Sequence, residues 1–188
     1  MKGLNLSSIK SDEKLPPVHL WHPELCGDMD LVIQANGEWV HEGVPMVRAS
    51  MKKMFSRILW LEEGEYYLVT PHEKVQIQVE DAPFLVNRSQ CIPLENNSSN
   101  KSNDETLIQF VTSVDDVLTL GKDCDLWTEQ GPQGERPYIT MRYGMKAMLH
   151  RNVYYDLVNQ GFEKKIDGKY HICIRSAGKE YSLGALDA

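Results

Sequence analysis

A short internal repeat constrains this chain more than any other feature. Met51-Lys52-Lys53-Met54-Phe55-Ser56-Arg57 reads again as Met145-Lys146-Ala147-Met148-Leu149-His150-Arg151, with four of the seven positions identical. Downstream, Glu65-Tyr66-Tyr67-Leu68-Val69 is echoed by Lys169-Tyr170-His171-Ile172-Cys173. A chain of 188 residues has room for two small units built on one pattern. Like units meet at an interface, and interfaces are where pockets form. The expectation is a site where the two halves meet.

Charge narrows what such a site could hold. The formal net charge of −7 opposes phosphate over a broad surface, so no nucleic-acid partner is expected. The basic cluster of Lys52, Lys53 and Arg57 reads as the solvated face of one helix. No apolar run reaches the ~18 residues of a membrane span, and residues 1–14 lack a secretory pattern. The expected compartment is the cytoplasm, without membrane contact. There Cys26, Cys91, Cys124 and Cys173 would be reduced thiols at spacings that match no zinc or redox motif.

Each half of the chain reads as a few antiparallel strands, a helix, then more antiparallel strands. Residues 1–15 form a polar, flexible tail; an N-terminal unit spans 16–82 and a C-terminal unit 83–188, with a flexible Asn- and Ser-rich hairpin loop near 95–105. Alternation at Leu31, Ile33 and Ala35 before Asn36-Gly37 predicts a hairpin. Periodicity predicts helix over 47–62 and over 144–160, the second stopped by Gly161. Strands are expected at 66–70, 75–80, 117–120, 138–143, 162–166, 170–175 and 179–183. Strands also flank the Asn-rich loop. The fold class is α+β: two related antiparallel-sheet-plus-helix units made by duplication.

The two helices differ in one respect. The first carries an unbroken apolar stripe centred on Ile58, whereas the second has Asn152 and Asp156 there, flanked by Met145, Met148, Leu149, Val153 and Leu157. Polar groups inside an apolar stripe need partners, because burying them bare costs several kcal/mol. Asp156 either bonds a neighbouring loop or faces the cleft between the halves, where it meets a ligand or a basic side chain.

Chemistry concentrates in residues 17–28. That loop holds His19, Trp21, His22, Glu24, Cys26 and Asp28. A thiol becomes a nucleophile when a base or cation lowers its pKa, and His22 is the local base for Cys26; Glu24 and Asp28 act against it. Cys26 as an inert small side chain is the competing reading. His19, His22 and Cys26 offer three metal ligands without a fourth at a recognisable spacing, so neither metal nor cofactor is expected. The acidic pairs Glu80-Asp81 and Asp115-Asp116 read as strand ends or turns. Phosphate-loop, serine-elbow and dinucleotide fingerprints are absent.

Pro17-Val18-His19-Leu20-Trp21-His22-Pro23 running into Cys26-Gly27-Asp28, then Asn36-Gly37-Glu38-Trp39 and Val79-Glu80-Asp81-Ala82-Pro83-Phe84, resembles the bacterial family called domain of unknown function 1285. So do Arg136-Pro137-Tyr138 and Tyr154-Tyr155-Asp156-Leu157-Val158, and the likeness runs over residues 16–184. The resemblance implies duplicated α+β units, the second loosely similar to pleckstrin-homology-like folds. It also implies a ligand site where the domains meet, a cysteine nucleophile and a link to bacterial signalling. Together these readings predict a ligand-binding or regulatory module. Trp21, Asp81, Phe84 and Asp156 would bind a small molecule or a signalling partner, with Cys26 and His22 beside them. One alternative is a thiol-dependent enzyme using Cys26 as nucleophile and His22 as base; another is an interaction domain whose open sheet edge docks another protein.

Overall fold

A computed structural model describes residues 15–93, 106–131 and 134–186. The expected tail, apart from Leu15, and the expected loop near 95–105 lie outside the described residues. Chain contacts divide the molecule into Met1–Pro83 with Arg142–Met145, and Phe84–Met141 with Lys146–Ala188.

In the first unit, β1 (Leu25–Ile33), β2 (Trp39–His41) and β3 (Val44–Pro45) form one meander. α1 (Ala49–Arg57) leads into a second meander of β4 (Leu59–Glu62), β5 (Glu65–Val69) and β6 (Lys74–Val79). The sheet order is β3-β2-β1-β6-β5-β4, so the first and last strands lie side by side and run parallel at its centre. Alternation along β1 and β2 places Leu31, Ile33 and Trp39 in the core, with Ile58, Leu59, Leu68 and Ile77. The expected hairpin is present: Gly37 N–H donates to the Gln34 carbonyl at 2.8 Å, and Asn36 Oδ1 accepts from Glu38 N–H at 2.9 Å.

The first helix is shorter than its periodicity predicts, and the residues beyond it show why. Leu59 and Leu61 satisfy a period of two as well as 3.6, and they pair with Leu68 and Tyr66 across β4 and β5. Pairing along a whole strand outweighs about one and a half more turns of helix.

In the second unit, β7 (Phe84–Pro93), β8 (Thr106–Thr112) and β9 (Val117–Thr119) form a meander. β10 (Leu126–Gly131), β11 (Gly134–Thr140) and β12 (Lys146–Leu149) form another. The order is β10-β11-β12-β7-β8-β9, with β12 parallel to β7. This is the first unit's topology again: two three-stranded meanders joined through a parallel pair of first and last strands. α2 (Arg151–Gln160) follows, then a separate sheet of β13 (Phe162–Ile166), β14 (Lys169–Ser176) and β15 (Lys179–Ala185). Asp167-Gly168 and Ala177-Gly178 make its tight turns, both residues of each pair at positive φ as a hairpin with right-handed twist demands.

The duplication is therefore real, yet the Met-Lys match does not mark it. Residues 51–57 lie in α1, whereas 146–149 are strand β12 and α2 begins only at Arg151. The downstream echo is a local likeness: β5 and β14 are each the middle strand of a meander that follows a helix. The matching residues are others. Leu59-Trp60-Leu61-Glu62 on β4 corresponds to Leu126-Trp127-Thr128-Glu129 on β10, 67 positions later. Trp60 pairs with Tyr67 on β5, and Trp127 with Tyr138 on β11. Lys74, opening β6, sits 4.2 Å from the Tyr67 ring centroid and pairs with Glu62. Lys146, opening β12, sits 4.1 Å from the Tyr138 ring and pairs with Glu129. The same Lys-Glu-Tyr arrangement, an ion pair over an aromatic face, thus recurs across equivalent strands.

Gly161 follows α2 as expected, but for a different reason. Its φ is −74°, open to any residue. A Cβ there would lie 2.6 Å from Ile172 Cγ2 and 3.0 Å from the Cys173 carbonyl oxygen. Close approach to β14, not a left-handed turn, requires glycine. Gly161→Ala is expected to destabilise by about 1–3 kcal/mol, because a β-branched methyl and a backbone oxygen cannot both yield. Chemical denaturation checks this; an unchanged midpoint would contradict the packing argument.

Candidate functional site

The residues singled out in the sequence are divided between the units. Trp21, His22, Cys26 and Asp81 belong to the first, Phe84 and Asp156 to the second. Trp21 closes the 3-10 turn Val18–Leu20 and is half-buried, its N–H donating to the Val18 carbonyl at 3.0 Å. His22 is exposed. Cys26 lies on β1 rather than in a loop, is exposed, and donates from Sγ to the Glu24 carbonyl at 3.4 Å. The His19 ring lies 6.0 Å from that of Tyr143, which also meets Trp60 at 5.0 Å. Among the described residues no three His, Cys, Asp or Glu side chains gather as a metal site requires.

The acidic pairs serve turns. Glu80 accepts from Ala35 N–H at 2.8 Å, and Asp115 has φ +66° between β8 and β9. Asp81 is half-buried between β6 and β7, and Phe84 opens β7 at 2% exposure.

The four thiols separate by exposure. Cys26 and Cys91 are exposed, Cys124 and Cys173 buried. Burial pushes Cys124 up to about 12, helped by Asp123 and Asp125, and burial also raises Cys91 and Cys173. Brief iodoacetamide treatment of the folded protein is expected to label Cys26 first, Cys91 more slowly, and the other two only after unfolding. Peptide mass mapping checks the order; native labelling of Cys124 would contradict it.

Asp156 is where the structure adds most. Because Met145, Met148 and Leu149 are not on the helix, α2 buries only Val153 and Leu157. Asn152 and Asp156 are exposed beside that row rather than inside an apolar stripe. They line a cleft of about 250 Å³ with Val153, with Val111 of β8, and with Asn87, Arg88, Ser89 and Gln90 of β7. Among the described residues neither Arg88 nor Asp156 has an ion-pair partner.

Local sequence explains how the cleft opens. β12 pairs with β7 only at Phe84, Leu85 and Val86; His150 N–H then donates to the Val86 carbonyl at 2.9 Å, and the chain turns into α2. His150 Nδ1 caps the helix by accepting from Asn152 N–H at 3.3 Å. The β7–β8 register slips between Val86 and Arg88, leaving Asn87 as a bulged extra residue, a device that re-aims side chains near sites. Farther along, Cys91 Sγ donates to Gln160 Oε1 at 2.8 Å, and Tyr154 Oη donates to the Leu183 carbonyl at 3.0 Å. α2 is thus anchored to β7 and β15 around the cleft.

Sequence reasoning missed residues 87–90. Their signal was present: four polar residues in a row interrupt a strand that is apolar at Phe84, Leu85 and Val86 and again at Ile92.

Two family models match the chain: the N-terminal domain of the DUF1285 domain of unknown function over residues 16–82, and the C-terminal domain of DUF1285 proteins of unknown function over 94–183. The chain belongs to the DUF1285 family. A crystal structure of a DUF1285 protein from Silicibacter pomeroyi DSS-3 is similar at 32% identity and a TM-score of 0.79, over 96% of this chain and 93% of that one. A DUF1285 protein from Shewanella baltica OS155 is similar at 28% identity and a TM-score of 0.53, over 70% of this chain and 92% of that one. No curated protein matches. The DUF1285 models and structures establish family and fold, and they name no reaction. Among the described residues no helix is long and apolar enough to cross a membrane.

Proposed function

We propose that the chain is a binding and regulatory module of the cytoplasm whose ligand occupies the cleft between α2 and β7. One observation carries this reading: Arg88 and Asp156, opposite charges with no ion-pair partner among the described residues, border the same small cleft with the amides of Asn87, Gln90 and Asn152. Such a lining suits an amphoteric group, an anion on the guanidinium and a cation on the carboxylate, with amides fixing its orientation. The volume of about 250 Å³ is below the ~300–1,000 Å³ of sites that enclose drug-sized ligands, so the occupant is small or enters only in part. Four unpaired cysteines fit a reducing compartment.

Thermal-shift measurement against free amino acids and dipeptides tests the reading. A ligand at 100 times its Kd adds about 2.7 kcal/mol to the wild type. Arg88→Ala and Asp156→Ala change surface residues, so stability itself should move by no more than about 0.5 kcal/mol, while the ligand-induced shift disappears. A shift that survives in both variants, or a silent panel, would refute the assignment.

A further inference from the structure

The two walls of the cleft carry complementary groups. On the sheet side, Arg88 lies opposite Val111 and Gln90 opposite Gln109, so the lining residues Arg88, Gln90 and Val111 share one face. On the helix side, Asn152 and Asp156 stand one turn apart on α2, with Val153 beside them. A base thus belongs to one wall and an acid to the other, and the two valines supply the apolar part of the lining.

Gln90 narrows what the cleft can hold. Its Nε2 donates to Gln109 Oε1 at 3.0 Å, and Gln109 Nε2 in turn donates to Thr119 Oγ1 at 3.5 Å. With its amino group committed to this relay, Gln90 offers a ligand its carbonyl oxygen. Asp156 and Gln90 are then both acceptors, and a primary ammonium, which has three donors and no acceptor, is the cation that uses more than one. The Arg88 guanidinium is a donor fork matched to a carboxylate. A ligand that joins these poles also lies against Val111 and Val153, which favour an aliphatic group. The volume of about 250 Å³ has room for about eight water-sized atoms at ~30 Å³ each, the size of valine.

We infer that the cleft takes a free α-amino acid with a short aliphatic side chain, its carboxylate on Arg88, its ammonium between Asp156 and Gln90, and its side chain against Val111 and Val153. This rests on the cleft being a binding site and names its occupant. Three different attachments to one carbon make the site chiral, because inverting that carbon leaves only two of them satisfied at once. A blocked amine or carboxylate, as in a peptide, loses a charge-assisted contact and adds bulk that the small volume does not admit.

The test titrates the isotopically labelled full chain with L-valine and its analogues, followed by NMR. L-Valine should bind roughly tenfold or more tightly than D-valine, glycine, N-acetyl-L-valine or L-valinamide, each of which lacks one of the three attachments. Two variants assign the poles. Arg88→Ala should weaken L-valine roughly tenfold and leave L-valinamide, which has no carboxylate, within about twofold. Asp156→Asn should weaken L-valine as much and leave N-acetyl-L-valine, which has no ammonium, within about twofold. Equal affinity for the two enantiomers, or for glycine and valine, would overturn the assignment and leave the cleft as a site for some other zwitterion. So would a dipeptide that binds more tightly than L-valine and loses that affinity in Arg88→Ala and Asp156→Asn. Binding by no amino acid or dipeptide, or binding that survives in both variants, would overturn the occupant and the cleft together.

Discussion

Phe110→Ala is expected to cost about 3–5 kcal/mol, the range for emptying a fully buried aromatic site. Phe110 is 0% exposed on β8, the strand flanked by β7 and β9. Its cross-strand neighbours are Ser89 and Leu118. Neither can move to fill the space without breaking the ladder that positions it. The loss has two parts: the transfer free energy of the ring, and the cavity that remains because strands held by hydrogen bonds relax little. Urea denaturation should show a lower midpoint, and hydrogen exchange should show lost protection along β7 and β8. A midpoint within about 1 kcal/mol of wild type would mean that the strands collapse onto the vacancy, and that the sheet is far more plastic than its pairing implies.

Ser176→Ala is the second large effect, expected at about 2–4 kcal/mol. Ser176 is 0% exposed, and its Oγ both accepts from Ile108 N–H at 2.9 Å and donates to the Leu120 carbonyl at 2.8 Å. One hydroxyl on β14 thereby satisfies backbone groups at β8 and just past β9, holding the three-stranded sheet against the six-stranded one. The change removes a single oxygen atom, so a cavity accounts for little of the cost. It arises because a buried donor and acceptor lose their partner, at about 1–3 kcal/mol for each unsatisfied group. The Ile108 amide should lose exchange protection more than its neighbours do. Retention of that protection would show that water or a shifted backbone replaces the hydroxyl.

Turn chemistry was legible because it is local. Gly37, Asp167-Gly168 and Ala177-Gly178 lie where left-handed backbone is needed, and no distant contact has to be known. The strand at 162–166 came out with its observed limits for the same reason, bounded by Gly161 and by Asp167-Gly168. The helix limits were not legible. Leu59 and Leu61 fit both periods, and Met145, Met148 and Leu149 continue the stripe of α2 on paper although β12 claims Met148 and Leu149 in the sheet. Competition between a turn of helix and a strand partner is settled by the partner, which a single sequence does not display.

The duplication shows both sides of this limit. It was inferred from a contiguous match that the fold does not use. The residues that carry it, Trp60 with Trp127, Tyr67 with Tyr138 and Lys74 with Lys146, are spread over three strands in each unit and meet only across a sheet. The central parallel pairs were hidden too, because alternation says which face is buried and nothing about strand direction.

By itself the amino-acid order determined the α+β class, the tight turns and the doubled architecture, whereas the apolar stripe expected around Asp156 dissolved once β12 took Met148 and Leu149. Only the tertiary structure decided that β12 stops at Leu149, that its pairing with β7 ends at Val86, and that Arg88 stands across a cleft from Asp156. Those facts depend on pairing between segments some sixty residues apart, where backbone hydrogen bonds and burial, not local propensity, choose the partner.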